Sequence, residues 1–154
     1  IIFENGSIIR LTLSFDVIAH QRNHIELYGN KGSIIVPDPN MFGGSAFVSV
    51  TTGGNWGEHK TDNMPLGKIN IKSQSARANE SSTNANYRGV GLAEMAYSIE
   101  NNLEHRCNGD LSLHVLDIID STMRASQTGI PQEIKTTCKK PKPFSLEEIK
   151  KILN

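Results

Sequence analysis

Residues 9–16 show a strict alternation of apolar and polar side chains, a pattern typical of an extended strand with one apolar face. The apolar positions are Ile9, Leu11, Leu13 and Phe15. The intervening positions are polar and comprise Arg10, Thr12, Ser14 and Asp16. The alternation resumes with Ile25 and Leu27, so an antiparallel meander with one apolar and one polar face is predicted for the first third of the chain.

Turn signals divide this meander into strands. Asn5-Gly6 predicts a hairpin, because both central residues of a type I′ turn need positive φ. The run 29–32 (Gly-Asn-Lys-Gly) predicts a turn into a strand over 33–36, which the prolines at 37 and 39 end. A further strand is predicted over 47–50, and a turn at Gly53-Gly54.

The periodicity changes to three and four residues after a polar stretch, 74–86, which is predicted to be a long loop. A first helical stripe comprises Leu92, Met95, Ala96, Ile99 and Leu103. A second comprises Leu113, Leu116, Ile119 (or its neighbour Ile118) and Met123, with Asn108 as the predicted N-cap and Gly129 as the predicted exit. An edge strand is predicted over 132–135.

A capping box, Ser145 with Glu148, predicts a short closing helix, and Phe144 is placed to pack on Ile149. The apolar side of this helix comprises Leu146, Ile149, Ile152 and Leu153. Strands first and helices later favour an α+β fold, with an open-faced, mostly antiparallel sheet and helices packed on one face.

Length and charge limit the function. The 154 residues carry no formal net charge, which gives no electrostatic case for nucleic acid or an anionic membrane as a partner. The length predicts a single domain over 1–154, with a basic tail and short helix over 136–154. Two cysteines suit a reducing compartment, so a cytoplasmic location is expected. The start at Ile1-Ile2-Phe3, already strand-like, suggests a piece of a longer protein.

Few residues form a recognisable catalytic or metal-binding pattern. His20 and His24 have the spacing of a zinc-binding helix, but in an extended segment they would lie about 13 Å apart. His105 and Cys107 offer only two candidate ligands, so no metal site is predicted. The sequence has neither a nucleophile elbow nor a glycine-rich dinucleotide or phosphate loop. No catalytic residue and no cofactor-binding residue is therefore assigned.

Several segments, in their order and spacing, carry a family resemblance over Ile1 to about Pro143. They are the Glu4-Asn5-Gly6 hairpin, the run 25–33 (Ile-Glu-Leu-Tyr-Gly-Asn-Lys-Gly-Ser) leading to Val36-Pro37-Asp38-Pro39-Asn40, the helix start Arg88-Gly89-Val90-Gly91, and the run 108–116 (Asn-Gly-Asp-Leu-Ser-Leu-His-Val-Leu). Together they resemble the C-terminal domain of the Gfo/Idh/MocA family of NAD(P)-dependent oxidoreductases. The resemblance implies a sheet and helices like the C-terminal domain of glyceraldehyde-3-phosphate dehydrogenase.

The resemblance also implies a second domain. Family members bind NAD or NADP in an N-terminal Rossmann domain, with a catalytic lysine in a Glu-Lys-Pro motif and an Asp-x-x-x-His pair before the C-terminal sheet. This sequence has no Glu-Lys-Pro. Asp-x-x-x-His occurs as Asp16…His20, in a predicted strand, and as Asp110…His114, where dipole compensation and packing explain it. The fragment alone is therefore expected to be inactive, with no cofactor bound.

By resemblance, the substrate lies between the two domains. The substrate-binding residues implied here are His20, Gln21, Arg22, Tyr87, Arg88 and Gly91. Arginine and histidine donors suit hydroxyls or a carboxylate, although Arg88 could equally pair with a nearby carboxylate and Tyr87 could simply anchor the loop. The substrate would be a sugar, polyol or related hydroxyl compound, and the activity that of a dehydrogenase.

Two alternatives stay open: an NAD-dependent glycosidase of the same family, and a non-catalytic binding or assembly domain. The resemblance also implies a homo-oligomer, a dimer or tetramer. Its subunits would pair through the open polar sheet face, which is predicted to comprise Thr12, Ser14, Asp16, His24, Glu26 and Tyr28.

Overall fold

The computed structural model of the chain describes residues 1–40, 42–68, 85 and 87–153. Its four strands are β1 (Ile25–Gly29), β2 (Gly32–Val36), β3 (Ser45–Ser49) and β4 (Gly57–Lys60). Its three helices are α1 (Val90–Glu100), α2 (Gly109–Thr128) and α3 (Leu146–Leu153). Strands precede helices, so the α+β class is confirmed. Most of the predicted loop 74–86 lies outside the described residues.

The strands form one antiparallel sheet in the order β1-β2-β3-β4. The register pairs Leu27 with Ile34 and Ile34 with Val48, so these residues share one face. The apolar residues of that face are Ile25, Leu27, Ile34, Val36, Ala46 and Val48, and His59 lies on the same face opposite Ala46. The predicted strands and turn between 25 and 36 are confirmed. β4 was not predicted, because residues 57–60 have no apolar alternation.

The alternating segment 9–16 does not form a strand, so that prediction is wrong. In the first 24 residues the only ladder contact is an isolated bridge between Ile2 and Ile8, and the side chain of Phe15 is fully exposed. A strand needs a partner for its backbone N–H and C=O groups, and among the described residues only Ile9 of this segment has a backbone partner, because it exchanges backbone hydrogen bonds with Ile1 at 2.8 and 2.9 Å. The predicted polar face therefore lacks Thr12, Ser14 and Asp16 and keeps only Glu26 and Tyr28 within a strand.

The hairpin at Asn5-Gly6 is confirmed, but its turn type is not the predicted one. Gly6 N donates to Phe3 O at 2.9 Å, and Phe3 N donates to Ser7 O at 2.9 Å. Within this hairpin only Gly6 has positive φ, +82°, whereas a type I′ turn requires positive φ at both central residues. The loop therefore has three residues with glycine in the left-handed position, and Asn5 Oδ1 accepts from Ser7 N at 2.9 Å.

The helix boundaries agree with the predicted caps. Asn108 Oδ1 accepts from Leu111 N at 3.0 Å at the start of α2. Gly129 ends the helix with φ +68°, where a side chain would be strained. The edge strand predicted over 132–135 is wrong. That segment is held beside α2 instead, because Lys135 N and Thr136 N both donate to Asp117 Oδ2 at 2.9 Å.

The expected packing of helices on the sheet is not observed among the described residues. No Cα of the three described helices lies within 8 Å of a Cα of the four described strands, whereas α1 and α3 contact each other. α1 also buries the side opposite to the predicted one, because Arg106 contacts Glu94 there while Leu92 stays 76% exposed. None of the described helices is both long and apolar enough to cross a membrane.

Candidate functional site

The loop that leaves β2, Pro37-Asp38-Pro39-Asn40, is the centre of the candidate site. Each proline fixes its own φ and restricts the residue before it, so this loop has little conformational freedom. Asp38 Oδ1 also accepts a hydrogen bond from Asn40 N at 2.9 Å. Pro37 packs on Gly44, where an added Cβ would lie 3.0 Å from the proline Cβ. The loop is thereby anchored to the start of β3.

Two histidines lie on one side of this loop. His24 Nε2 is 3.6 Å from Asp38 Oδ2, and the His20 ring meets the His24 ring edge-on with centroids 5.8 Å apart. The prediction that His20 and His24 lie about 13 Å apart is wrong, because residues 17–23 are not extended as a strand. No three His, Cys, Asp or Glu side chains in the described part of the chain are placed to hold a metal ion.

An arginine lies on the other side of the loop. Arg88 Nη2 donates to Asn40 O at 3.0 Å and to Asn40 Oδ1 at 3.2 Å. Two neighbours of Arg88 in the sequence also contact Phe42. Ala85 N donates to Phe42 O at 3.1 Å, and the Phe42 and Tyr87 rings meet edge-on with centroids 5.7 Å apart. The segment before α1 is thus held against the connection between β2 and β3.

These contacts form one continuous group, which we call the His–Arg cluster: His20, His24, Asp38, Asn40 and Arg88. Of the six substrate-binding residues that the sequence predicts, the structure brings His20 and Arg88 into this cluster, and Tyr87 lies beside it with its hydroxyl donating to Lys68 O at 3.0 Å. Gln21 and Arg22 lie in exposed chain between the two histidines. Gly91 lies in the exposed first turn of α1.

The sequence did not assign His24, Asp38 or Asn40 to the substrate site. The available signal was the Pro-Asp-Pro-Asn run directly after a predicted strand, since polar residues on a restrained loop are well placed for binding. The cluster offers imidazole, guanidinium and amide donors together with carboxylate and carbonyl acceptors. His24 and Asp38 are 48% and 36% exposed, so a ligand must displace water and needs several hydrogen bonds.

A second polar cluster is centred on Arg106 and has a different character. Arg106 contacts Glu94 at 3.1 Å and Glu148 at 2.9 Å, donates to Lys142 O at 2.8 Å and lies 4.1 Å above the Phe144 ring. Bonds from the Ser145 N–H, the Arg106 guanidinium and the Ser145 hydroxyl lower the pKa of Glu148 to about 2. A neighbouring cavity of about 350 Å³ is lined by Arg106 and by Lys139, Lys140 and Lys142. Because α1, α3 and the tail all contact this guanidinium, the Arg106 cluster acts as a structural clamp.

A third polar group ties the tail to α2. Asp117 Oδ2 accepts from the backbone N–H and the hydroxyl of Thr136, each at 2.9 Å. These bonds from Thr136, backbone first, lower the pKa of Asp117. The Thr136 hydroxyl also lies 3.0 Å from His114 Nδ1. Because its proton is donated to Asp117, this hydroxyl accepts from the imidazole, and the group holds the segment in place.

Comparison of this chain with protein-family models, with curated proteins and with solved structures gives no match.

Proposed function

We propose that this chain is the substrate-side and oligomerisation domain of an NAD(P)-dependent oxidoreductase of the Gfo/Idh/MocA family, with the C-terminal fold of that family. The substrate would be a sugar, polyol or related hydroxyl compound, and the enzyme cytoplasmic. The observation that supports this is the His–Arg cluster. It joins two segments distant in sequence, around His20 and around Arg88, that the family resemblance assigns to substrate binding.

The groups in the cluster suit a polyhydroxylated ligand. A hydroxyl both donates and accepts, so it pairs best where donors and acceptors alternate. Arg88 donates and Asp38 accepts, and a neutral imidazole does each through a different nitrogen. The Tyr87 ring, held edge-on by Phe42, offers an apolar surface beside these groups for the C–H face of a sugar.

The described residues do not fit a nicotinamide dinucleotide. A dinucleotide fold needs parallel strands joined through a helix, whereas the three strand pairs in the described part of the chain are antiparallel. We therefore assign the cofactor and the hydride-transfer residues to a Rossmann domain outside these 154 residues, and derive no step through them.

Sequence upstream of Ile1 in the encoding gene provides the most informative test. A glycine-rich strand–turn–helix and a Glu-Lys-Pro motif are expected there, and a reading frame without them would refute the proposal. The purified 154-residue chain should not reduce NAD⁺ or NADP⁺ with any polyol. In the longer protein, steady NADH release from free sugars would support the dehydrogenase, whereas glycoside cleavage without net NADH would replace it with a glycosidase.

The second candidate function is that of a non-catalytic binding or assembly domain, which the exposed apolar surface favours. The side chains of Leu27, Leu113, Leu116 and Met123 are all more than half exposed. Exposed apolar patches of this kind mark interaction sites. If these exposed apolar side chains pair subunits, sedimentation should show a concentration-dependent oligomer. A strict monomer at high concentration would contradict the assembly role.

A further inference from the structure

A second cavity lies at the end of the sheet where the turn between β1 and β2 meets the connection between β3 and β4. Its volume is about 320 Å³, near the lower end of the range for ligand sites, about 300 to 1,000 Å³. β2 begins at this cavity and ends at the loop of the His–Arg cluster, so the length of that strand, about 13 Å, separates the two. We call it the Trp56 cavity, and the side chains that characterise it are Asn30, Ser33, Thr51, Thr52 and Trp56.

Trp56 gives this cavity one broad aromatic surface. It is the only tryptophan of the 154-residue sequence, and it is 42% exposed. Its indole N–H makes no hydrogen bond within the described part of the chain. A partly exposed indole with an unused donor offers a ligand both an apolar face and a polar edge.

The other four side chains of the Trp56 cavity are neutral amides and hydroxyls. None of them makes a hydrogen bond to another residue that the structure describes. Amide and hydroxyl groups both donate and accept, as the hydroxyls of a sugar require of their partners. No charged side chain of a described residue lines the cavity, so an anion or a metal ion would find no group of opposite charge there.

Close contacts between backbone segments hold the walls of this cavity in place. An added Cβ at Gly32 would lie 2.9 Å from Ser49 O, and one at Gly54 would lie 2.6 Å from Thr51 Cβ, so neither position can carry a side chain without a shift. Gly54 N also donates to Thr51 O at 2.8 Å, which closes the turn after β3. The polar groups are therefore presented by a sheet ladder and by a closed turn, and binding has little backbone to order.

We infer that the Trp56 cavity binds the pyranose ring of a neutral saccharide. The C–H face of the ring packs on the indole, and the ring hydroxyls exchange hydrogen bonds with the amide and hydroxyl side chains around it. An open-chain polyol has similar hydroxyls but no flat C–H face, so it gains nothing from the indole. This site is separate from the His–Arg cluster, and the inference does not rest on the proposed function.

Intrinsic fluorescence of the 154-residue chain tests this directly, because Trp56 is its only tryptophan. The chain is titrated with glucose, galactose and cellobiose, and with sorbitol as the open-chain control. We expect at least one of the three ring sugars to shift the emission to shorter wavelength in a saturable way, because the ring displaces water from the indole. Sorbitol should leave the emission unchanged. No saturable change with any of the three sugars, or an equal change with sorbitol, would overturn the inference.

Variants that keep the tryptophan test the polar contacts. We expect Thr51→Val and Asn30→Ala each to weaken the binding of that sugar about five-fold, the usual effect of one lost hydrogen bond. Both residues are exposed, so the fold should be unchanged. Thr12→Val is the matched control, because Thr12 is also exposed but lies outside the cavity, and it should bind like the wild type. Wild-type affinity in both cavity variants, or an equal loss in Thr12→Val, would overturn the inference.

NMR of the same complex separates this site from the His–Arg cluster. The Trp56 indole N–H and the Gly53 amide, both at the cavity, should shift with the dissociation constant that fluorescence gives. Shifts confined to His20, His24 and their neighbours would overturn the inference and leave the proposed function standing. Shifts at the Trp56 cavity alone would support the inference whatever the fate of the proposed function.

Discussion

The Arg106 cluster and the four-stranded sheet are stabilised in opposite ways. Around Arg106, polar groups from α1, α3 and the tail satisfy one another, and Glu94 is only 3% exposed. In the sheet, the strands are joined by backbone ladders but their apolar side chains are at most half-buried, and Leu27 is 52% exposed. The comparison shows that the polar groups around Arg106 are paired with one another. The apolar face of the sheet, in contrast, is not covered by any other described element.

Removing the Arg106 guanidinium should have the largest effect. Arg106→Ala leaves the buried Glu94 carboxylate without its charge partner, and we expect a loss of about 3 kcal/mol in the free energy of unfolding. Urea denaturation measures this. Arg124→Ala is the matched control, because Arg124 pairs with Asp120 at 3.0 Å while both side chains are largely exposed. It should cost less than about 0.5 kcal/mol. Equal losses in the two variants would show that the Arg106 cluster is not a clamp.

Acid should weaken the Arg106 cluster before it affects the sheet. The pKa of Glu148 is about 2 in the folded chain, below its ordinary value near 4.3. A lowered pKa stabilises the fold above the unfolded value, and that stabilisation disappears as the pH falls from about 4.3 toward 2. Asp117, whose pKa is also lowered, acts in the same direction. We expect the stability of Glu148→Gln, followed by urea denaturation at each pH, to fall less steeply over this range. An identical slope would contradict the assigned role of Glu148.

Truncating an apolar residue of the sheet should have the smallest effect. Leu27→Ala should cost less than about 1 kcal/mol, because half of the side chain is already in water. Ile149→Ala on α3 is the comparison, since Ile149 is 8% exposed and its truncation should cost about 3 kcal/mol. If urea denaturation gives Leu27→Ala the larger loss, the sheet face is covered in solution, and the contrast drawn above is wrong.

Features that depend on a few neighbouring residues could be predicted from the sequence. The Asn108 cap and the Gly129 exit each require contacts within four residues. The capping box of α3 forms as predicted, with Ser145 N donating to Glu148 Oε2 at 2.7 Å and Glu148 N donating to Ser145 Oγ at 3.1 Å. Local chemistry is enough to specify all of these.

Features that depend on a distant partner could not be predicted. The alternation over 9–16 specifies two faces but not the neighbouring strand that a ladder needs. The helical stripe of α1 did not reveal that Glu94 would be buried by Arg106. In the candidate site, the resemblance indicated His20 and Arg88, but Asn40 lies 48 residues from Arg88 in sequence, and no local pattern joins them.

The most direct test of the central claim is a chemical-shift map of the whole chain during titration with sorbitol, glucose and gluconate. Binding at the His–Arg cluster predicts that signals of His20, His24, Asn40 and Arg88 move together with one dissociation constant. The signals of residues around the cavity beside Arg106, such as Lys139 and Lys140, should not shift. Chemical-shift changes confined to that cavity, or no chemical-shift change anywhere in the chain, would contradict the assignment of the His–Arg cluster as the substrate-side site.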